Sequence, residues 1–194
     1  MSTGIDILIL VGSARRGSLN LKLAQAVAHC ARNQGHTATL ADIKAHNIPI
    51  MDQDLEAENG IPDGARTLRE QLRAASALIV CSPEYNGFPT PLLKNALDWM
   101  SRPDGDVPGL IAFRGKPALA LSASPGPLGG LRSLALTRQL LDNLGMLVMP
   151  EKLSVGQANE AFDQAGLLSN ARQQQSLDKA IELLAQRSGQ LAQG

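Results

Sequence analysis

The chain contains little cysteine. Cys30 and Cys81 are the two cysteines among 194 residues, and they stand far apart. Disulfide-stabilised secreted domains carry several cysteines at short spacing, and structural metal sites need clustered cysteine or histidine ligands. The scarcity therefore argues against a disulfide framework and against a metal site. It fits a reducing, cytoplasmic setting.

A charge excess and long apolar runs are also missing. Eighteen lysines and arginines balance eighteen aspartates and glutamates, whereas nucleic-acid-binding domains usually carry a basic excess. No apolar run approaches the roughly 18–20 residues that cross a bilayer. The sequence MSTGIDILILVG lacks the basic region of a signal peptide, and a first strand explains its short apolar run better. We expect neither a nucleic-acid partner nor a membrane.

Aromatic residues make up 3% of the chain, with one Tyr and one Trp. Both lie in the stretch CSPEYNGFPTPLLKNALDWM, residues 81–100, together with Phe88 and several prolines. Trp99 lies about two turns inside a predicted helix, so we expect it to pack in the core or against a partner subunit. Tyr85 lies in the loop before that helix.

Short apolar runs alternate with amphipathic stretches along the chain. The predicted strands are 5–11, 37–40, 77–81, 117–122 and one that opens at 146–149. The predicted helices are 18–33, 65–75, 91–101, 131–144 and 167–191, and 46–64 is predicted as a loop. This alternation is typical of a parallel sheet with both faces covered. We therefore predict a single α/β domain over residues 1–194. It is a flavodoxin-like, doubly wound, five-stranded parallel sheet with helices on both faces, and such sheets bind ligands beyond the carboxyl ends of their strands.

The loop after the first strand, GSARRGSLN at 12–20, leads into a helix. Its polar side chains are Ser13, Arg15, Arg16, Ser18 and Asn20. A helix N-terminus presents unpaired N–H groups and a positive dipole end, which favours an anion such as a phosphate. Neither a P-loop nor the dinucleotide pattern G-x-G-x-x-G is present. The alternative is that Ser18 merely caps the helix while the arginines are solvated.

The loop after the third strand, SPEYNGFPTP at 82–91, is stiffened by prolines. Thr90 followed by Pro91 predicts the start of a helix, and Asn86-Gly87 predicts a turn with positive φ. Backbone amides in a rigid loop at this strand end could meet the edge of a flat heteroaromatic ring. We expect Glu84 to face solvent or a neighbouring subunit. The alternative is a structural turn in which Tyr85 fills a surface groove.

The loop after the fourth strand, SASPGPLGG at 122–130, is rich in glycine. Gly126, Gly129 and Gly130 would let the backbone approach a ligand closely. Taken alone, the loop could equally be a flexible connector to the next helix.

These loops together resemble the NADPH-dependent FMN reductase family of flavodoxin-like proteins, which includes quinone, chromate and azo-dye reductases. The family pattern G-S-x-R-x-x-S-x-N is matched by Gly12, Ser13, Arg15, Ser18 and Asn20. The pattern P-E-Y-N is matched by Pro83, Glu84, Tyr85 and Asn86, and Gly87 follows. The resemblance covers about residues 5–150 and is weaker beyond them.

The resemblance implies non-covalently bound FMN and NADPH or NADH as hydride donor. The residues in contact with the FMN phosphate would be Ser13, Arg15, Ser18, Leu19 and Asn20, partly through main-chain amides. The residues in contact with the flavin ring would be Pro83, Glu84, Tyr85, Asn86 and Gly87, with Ser124 and Gly126 nearby. It also implies homodimers or homotetramers with the flavin near a subunit interface, which leaves Tyr85 as a ring neighbour or an interface residue.

The implied chemistry is ping-pong hydride transfer from NAD(P)H to FMN and then to a small acceptor such as a quinone, an azo dye, chromate or a free flavin. The flavin carries this chemistry, so no side chain is predicted as catalytic. His29, His36 and His46 are interpreted as surface histidines. The choice between NADPH and NADH stays open, because Arg16 could favour a 2′-phosphate or could be solvated.

Two other functions stay open for the same fold. A non-enzymatic electron carrier or redox-sensing flavoprotein would bind FMN without oxidising NAD(P)H. A phosphate- or nucleotide-binding module would bind no flavin. A signalling receiver domain would need clustered acidic residues after the first strand and a phosphorylatable aspartate at the third. It is rejected, because Val11-Gly12-Ser13 and Ser82-Pro83 occupy those places.

Overall fold

The computed structural model describes residues 4–192. The strands are β1 (Asp6–Val11), β2 (Thr37–Asp42), β3 (Ala77–Cys81), β4 (Glu84–Tyr85), β5 (Phe88–Pro89), β6 (Pro117–Ala123), β7 (Leu147–Val148) and β8 (Leu153–Val155). The α-helices are α1 (Leu19–Asn33), α2 (Gln53–Asn59), α3 (Asp63–Ala74), α4 (Pro91–Met100), α5 (Leu131–Asn143) and α6 (Ala171–Leu191), and a short 3₁₀ helix spans Ile43–His46.

The main sheet is parallel and has the strand order β2-β1-β3-β6, with β7 and β8 beside β6. This order is that of flavodoxin-like doubly wound sheets, so the predicted fold class is confirmed. The fifth strand of the sheet differs from the prediction, because two short strands take the place of one. β7 pairs with Pro117 and Ala118 at one end of β6, and β8 pairs with 121–123 at the other. Pro150 lies between the two short strands and offers no N–H for the ladder.

Two apolar cores cover the two faces of the sheet. Along β1, Ile7 and Ile9 belong to the core beneath α1 and α6, whereas Leu8 and Leu10 belong to the core beneath α3, α4 and α5. All five residues of β3 are buried. A strand buried on both faces reads as an unbroken apolar run, which is why β1 and β3 were predictable.

A short helix and a short hairpin lie where the sequence predicted only loop. α2 occupies Gln53–Asn59 within the predicted loop 46–64, and none of its residues is buried, so it has no apolar stripe to signal a helix. β4 and β5 form an antiparallel hairpin inside the loop after β3.

The last helix also begins later than predicted, at Ala171, because Asn170 caps it through the N–H groups of Arg172 and Gln173.

Trp99 packs in the interior, as expected. Its side chain is fully buried, and Nε1 donates a hydrogen bond to the carbonyl of Pro49 at 2.8 Å. This bond satisfies the indole donor while its ring fills the space beside Ile61 and Ala65.

The prediction that the histidines lie at the surface is wrong for His36. His29 is exposed, but His36 is only 9% exposed and its Nδ1 accepts the N–H of Ile5 at 3.4 Å. Burial lowers the pKa of His36 below its ordinary value. Gly35 and Thr37 on either side are exposed, so the polar local sequence did not indicate that this one side chain is buried.

Residues 4–192 contain no helix that is long and apolar enough to cross a membrane. In the same part of the chain, no group of three His, Cys, Asp or Glu side chains is arranged to hold a metal ion.

Candidate functional site

The loops singled out in the sequence meet at one edge of the sheet. Val11 lies opposite Cys81, and Cys81 lies opposite Leu121, so β1, β3 and β6 end side by side. The phosphate-type loop (12–20) therefore lies next to the proline-rich loop (82–90), which lies next to the glycine-rich loop (122–130). Below, these are called the first, second and third loops.

The first loop is built around the N-terminus of α1. The Ser18 hydroxyl accepts the N–H groups of Asn20 at 3.2 Å and Leu21 at 3.4 Å, so Ser18 caps this helix. The Ser13 hydroxyl accepts the N–H of Arg15 at 3.4 Å. Within residues 4–192, the N–H groups of Arg16, Gly17 and Leu19 have no hydrogen-bond partner. The loop thus keeps open amides beside a helix N-terminus.

The charges on the first loop are unpaired. Arg15 and Arg16 are exposed, and neither forms a salt bridge with the described part of the chain. A third cation, Lys44, joins them from the segment after β2, and its Nζ donates to the carbonyl of Ala14 at 3.2 Å. Sequence reasoning missed Lys44, although β2 lies beside β1 in this fold and its loop must border the first loop. The result is a cationic site within a chain of zero net charge.

Asn20 connects the first loop to β6. It is only 2% exposed. Its Nδ2 donates to the carbonyl of Ala123 at 2.8 Å, and its Oδ1 accepts the N–H of Ala123 at 2.9 Å. Because both ends of the amide are occupied, the side chain acts as a clamp between the first and third loops. The clamp uses only one of the two N–H groups of Nδ2, so a contact from the side chain to a phosphate would not require breaking it.

Gly12 and Thr90 connect the first loop to the second. The Thr90 hydroxyl donates to the carbonyl of Gly12 at 2.7 Å and accepts the N–H of Leu93 at 3.1 Å, which caps α4 as predicted. A Cβ on Gly12 would lie 2.6 Å from the Ser82 hydroxyl. Glycine at this position therefore lets the two loops approach each other.

The second loop is the β4–β5 hairpin. Asn86 and Gly87 both have positive φ, 52° and 86°, as the turn signal predicted. Tyr85 and Phe88 are cross-strand partners and are 49% and 63% exposed. Both aromatic residues therefore lie at the surface beside the candidate site.

The prediction that Glu84 faces solvent is wrong, while its alternative, a neighbouring subunit, stays a prediction. Its side chain is 12% exposed, and Oε2 accepts the N–H groups of Arg132 and Ser133, each at 3.2 Å. Oε1 lies 2.6 Å from Nη2 of Arg132. Burial raises the pKa of Glu84, but hydrogen bonds from the Arg132 guanidinium and from the two N–H groups lower it more, so the net pKa lies below the ordinary value.

The third loop brings its backbone close to the other two. Ser124 is half-buried, and its hydroxyl accepts the N–H of Gly126 at 3.3 Å. Gly130 has φ of 84° and leads into α5. A Cβ on Gly130 would lie 2.1 Å from the hydroxyl of the fully buried Ser122, so only glycine fits there.

The residues present fit a group that has an anionic end and a flat end. Open amides and the exposed Arg15 and Arg16 lie on the first loop, while the second and third loops carry one charged side chain, Glu84, which is 12% exposed and paired with Arg132. Comparison with protein-family models supports this description: residues 5–160 match the family described as NADPH-dependent FMN reductase. The chain belongs to the NADPH-dependent FMN reductase family. The family prediction made from the loop motifs is thereby confirmed.

Curated proteins of this family are similar over nearly the whole chain. An NAD(P)H-dependent FMN reductase of Pseudomonas aeruginosa is 39% identical over 188 residues, which cover 96% of this chain and 92% of that protein. A quinone reductase of Escherichia coli K12 is 34% identical over 177 residues, which cover 86% of this chain and 90% of the relative.

Solved structures agree with the fold. FerB, a flavoenzyme NAD(P)H:(acceptor) oxidoreductase from Paracoccus denitrificans, superposes with a TM-score of 0.82 at 26% identity, covering 96% of this chain and 98% of FerB. An archaeal flavodoxin superposes with a TM-score of 0.57 at 10% identity, covering 95% of this chain and 99% of the flavodoxin, and supports the fold alone.

Proposed function

We propose that this chain is an FMN-dependent NAD(P)H oxidoreductase that reduces a small acceptor of the quinone type. The observation that carries the proposal is the cationic first loop with open amides, set beside two backbone-rich loops at the ends of adjacent strands. Family membership and the names of the curated relatives support the same chemistry.

In this proposal the first loop holds the phosphate of FMN. The N–H groups of Arg16, Gly17 and Leu19 and the guanidinium of Arg15 would supply the donors, since charge-assisted hydrogen bonds to phosphate are the strong ones. The hydroxyls of Ser13 and Ser18 can donate to the phosphate while they keep accepting backbone N–H groups. Asn20 would support this loop through its clamp and contact the phosphate through the remaining N–H of Nδ2.

The second and third loops would hold the ring. Pro83 to Gly87 would lie along one side of the isoalloxazine, and Ser124 to Gly126 would lie nearby. The Glu84 carboxylate is occupied by α5, so its contribution to the ring would come from its main chain. The chain's own task is then to fix the cofactor and leave one ring face open for the reactants, since correct positioning supplies much of the rate of such a transfer.

The chemistry that bound FMN supplies is two-electron redox transfer, from NAD(P)H to the flavin and from it to the acceptor, in two successive half-reactions. One open face used in turn by donor and acceptor implies ping-pong kinetics. The proposed acceptors are quinones, azo dyes, chromate and free flavins. No side chain of the three loops is proposed as a general acid or base.

We also propose that the chain works in the cytoplasm as a homodimer or homotetramer. Tyr85, Phe88, Leu128 and Leu131 are all more than 40% exposed and lie on the hairpin and at the start of α5, next to the site. An apolar surface next to a ligand site is typical of an interface. A second subunit covering it would also narrow access to the flavin.

The test begins with the purified protein. We expect a flavin absorption spectrum, or its appearance on titration with FMN, and rapid bleaching on mixing with NADPH or NADH in a stopped-flow instrument. An acceptor panel should then reoxidise the protein, with parallel double-reciprocal plots. Protein that binds FMN but is not reduced by either nucleotide would be an electron carrier. Protein that neither carries nor takes up FMN would contradict the proposal entirely.

A further inference from the structure

The N-terminus of α5 is capped by a residue from another part of the chain. The residue at the cap position, Gly130, has no side chain, and α5 has no side-chain cap of its own. Glu84 supplies the missing acceptor from 48 positions earlier in the sequence, through the N–H groups of Arg132 and Ser133. A carboxylate at this end of a helix is favoured both by the unpaired N–H groups and by the helix dipole.

The same contact joins the two loops assigned to the flavin ring. Glu84 belongs to the second loop, and α5 begins where the third loop ends. The Ser133 hydroxyl reinforces the connection by donating to the carbonyl of Pro83 at 3.3 Å. The β4–β5 hairpin has only two residues in each strand. A hairpin of this length is not stable by itself, so its position depends on what it packs against.

The ion pair contributes less to this connection than the backbone bonds do. The Arg132 side chain is 69% exposed, and exposed ion pairs stabilise weakly. The Glu84 carboxylate is 12% exposed, and losing it would leave two helix N–H groups without their acceptor. The two effects can be separated, because Arg132 can be replaced without removing its main-chain N–H.

We propose that Glu84 is a positioning residue for the flavin: its carboxylate fixes the second loop against the start of α5, so that both ring loops are correctly spaced before the cofactor binds. This inference rests on the proposed function for its effect on FMN, but the spacing of the loops can be measured without cofactor.

The first measurement therefore uses apo-protein and hydrogen–deuterium exchange. We expect Glu84→Ala to speed exchange by roughly tenfold or more in peptides covering 83–90 and 124–134, as expected for loss of a hydrogen bond to a charged group. Peptides covering 12–20 should be unchanged. Arg132→Met should change exchange at most about threefold, since it leaves the backbone bonds in place.

A matched control is the pair formed by Glu56 and Arg102. Nε of Arg102 donates to Glu56 Oε1 at 2.7 Å, and the Glu56 side chain is 17% exposed, so Glu56 resembles Glu84 in the length of its ion pair and in its own burial, although Arg102 is 38% exposed. It lies beyond the far end of α4, which has ten residues and is about 15 Å long. Glu56→Ala should affect unfolding but not the flavin.

The second measurement uses the holoenzyme. For Glu84→Ala we expect the Kd for FMN to rise roughly tenfold to a hundredfold, the visible flavin band to shift, and kcat per bound flavin to fall. A residue with a merely structural role would lower the melting temperature and leave the band and kcat per flavin unchanged. Glu84→Gln, which keeps an acceptor oxygen, should lie between wild type and Glu84→Ala, and it replaces the alanine variant if that variant does not fold.

The outcomes are distinguishable. If wild-type protein takes up no FMN, the proposed function fails, and the exchange experiment alone decides whether Glu84 fixes the loops. Suppose that wild-type protein binds FMN, and that both Glu84 variants match Glu56→Ala in the exchange of peptides 83–90 and 124–134, in the position of the flavin band and in kcat per flavin. The positioning role is then overturned, while the proposed function stands.

Discussion

The side-chain amide of Asn20 pairs with the backbone of Ala123 at both of its ends, at 2.8 and 2.9 Å, across 103 positions of sequence. The pair is buried and lies at the end of β6, on the strand that pairs with β3 in the sheet. It therefore connects the loop proposed for the phosphate with the loop proposed for the ring.

We expect Asn20→Ala to lower the free energy of unfolding by about 1–3 kcal/mol, because it leaves the buried N–H and carbonyl of Ala123 without partners. It should also weaken FMN binding by loosening the first loop. Urea unfolding and FMN titration by fluorescence quenching measure the two effects. Asn95 is a matched control, since its amide also accepts one backbone N–H, from Met51, and donates to one carbonyl, that of Pro49. Equal FMN affinity in Asn20→Ala and Asn95→Ala would contradict a role for Asn20 at the site.

Arg15 is the cation whose position in the first loop matches the family motif, and it has no acidic partner in residues 4–192. Replacing it by alanine should weaken FMN binding by about 1–3 kcal/mol, or roughly 5- to 150-fold, through loss of a charged phosphate contact. Riboflavin, which lacks the phosphate, should bind both proteins equally. Arg187→Ala, an exposed arginine on α6, serves as the control. An unchanged FMN affinity in Arg15→Ala would remove this residue from the phosphate site.

Tyr85 is half exposed and lies at the turn of the β4–β5 hairpin, so its ring contributes little to the core. We expect Tyr85→Ala to change the free energy of unfolding by less than about 1 kcal/mol, while altering either turnover or the elution volume in size-exclusion chromatography. A change in turnover would identify Tyr85 as a neighbour of the flavin ring, and a change in elution volume would identify it as an interface residue. Loss of folding in this variant would instead place Tyr85 in the core.

The sheet and the position of the site were predictable because they depend on local patterns. β3 is an apolar run with every residue buried, Gly12 marks a strand end where a side chain would not fit, and Thr90 marks a helix start through its capping hydroxyl. Once the strands alternate with helices, topology alone places the three loops together at one edge.

The contacts that hold the loops in place were not predictable in the same way. Glu84 is polar and lies in a turn-rich stretch, so the local sequence favoured a solvent-exposed side chain. Its hydrogen-bond partners lie 48 and 49 positions later in the sequence. α2 has no buried residue and hence no periodic signal. β7 and β8 form at the fifth position because each pairs with a different part of β6, which is a property of the assembled sheet.

His36 predicts a dependence of stability on pH. Its buried ring accepts the N–H of Ile5 through Nδ1, which requires the neutral form. Charges of both signs line the adjacent cleft, from Glu151, Lys152, Asp178, Lys179 and Glu182. Burial holds the pKa of His36 in the folded state below its ordinary value of 6.5, so the unfolded chain binds more protons as the solution is acidified.

The stabilising contribution of neutral His36 is therefore present above about pH 6.5, and it declines as the pH falls from there. We expect His36→Asn, which keeps an acceptor but does not titrate, to flatten the decline in the free energy of unfolding between about pH 7 and pH 5. His29→Asn, which replaces a histidine exposed on α1, is the control for the substitution itself. Urea unfolding at constant ionic strength measures all three proteins. Equal slopes in wild type and His36→Asn would show that other groups carry the pH dependence, since only a group that titrates differently in the folded and unfolded states can contribute to it.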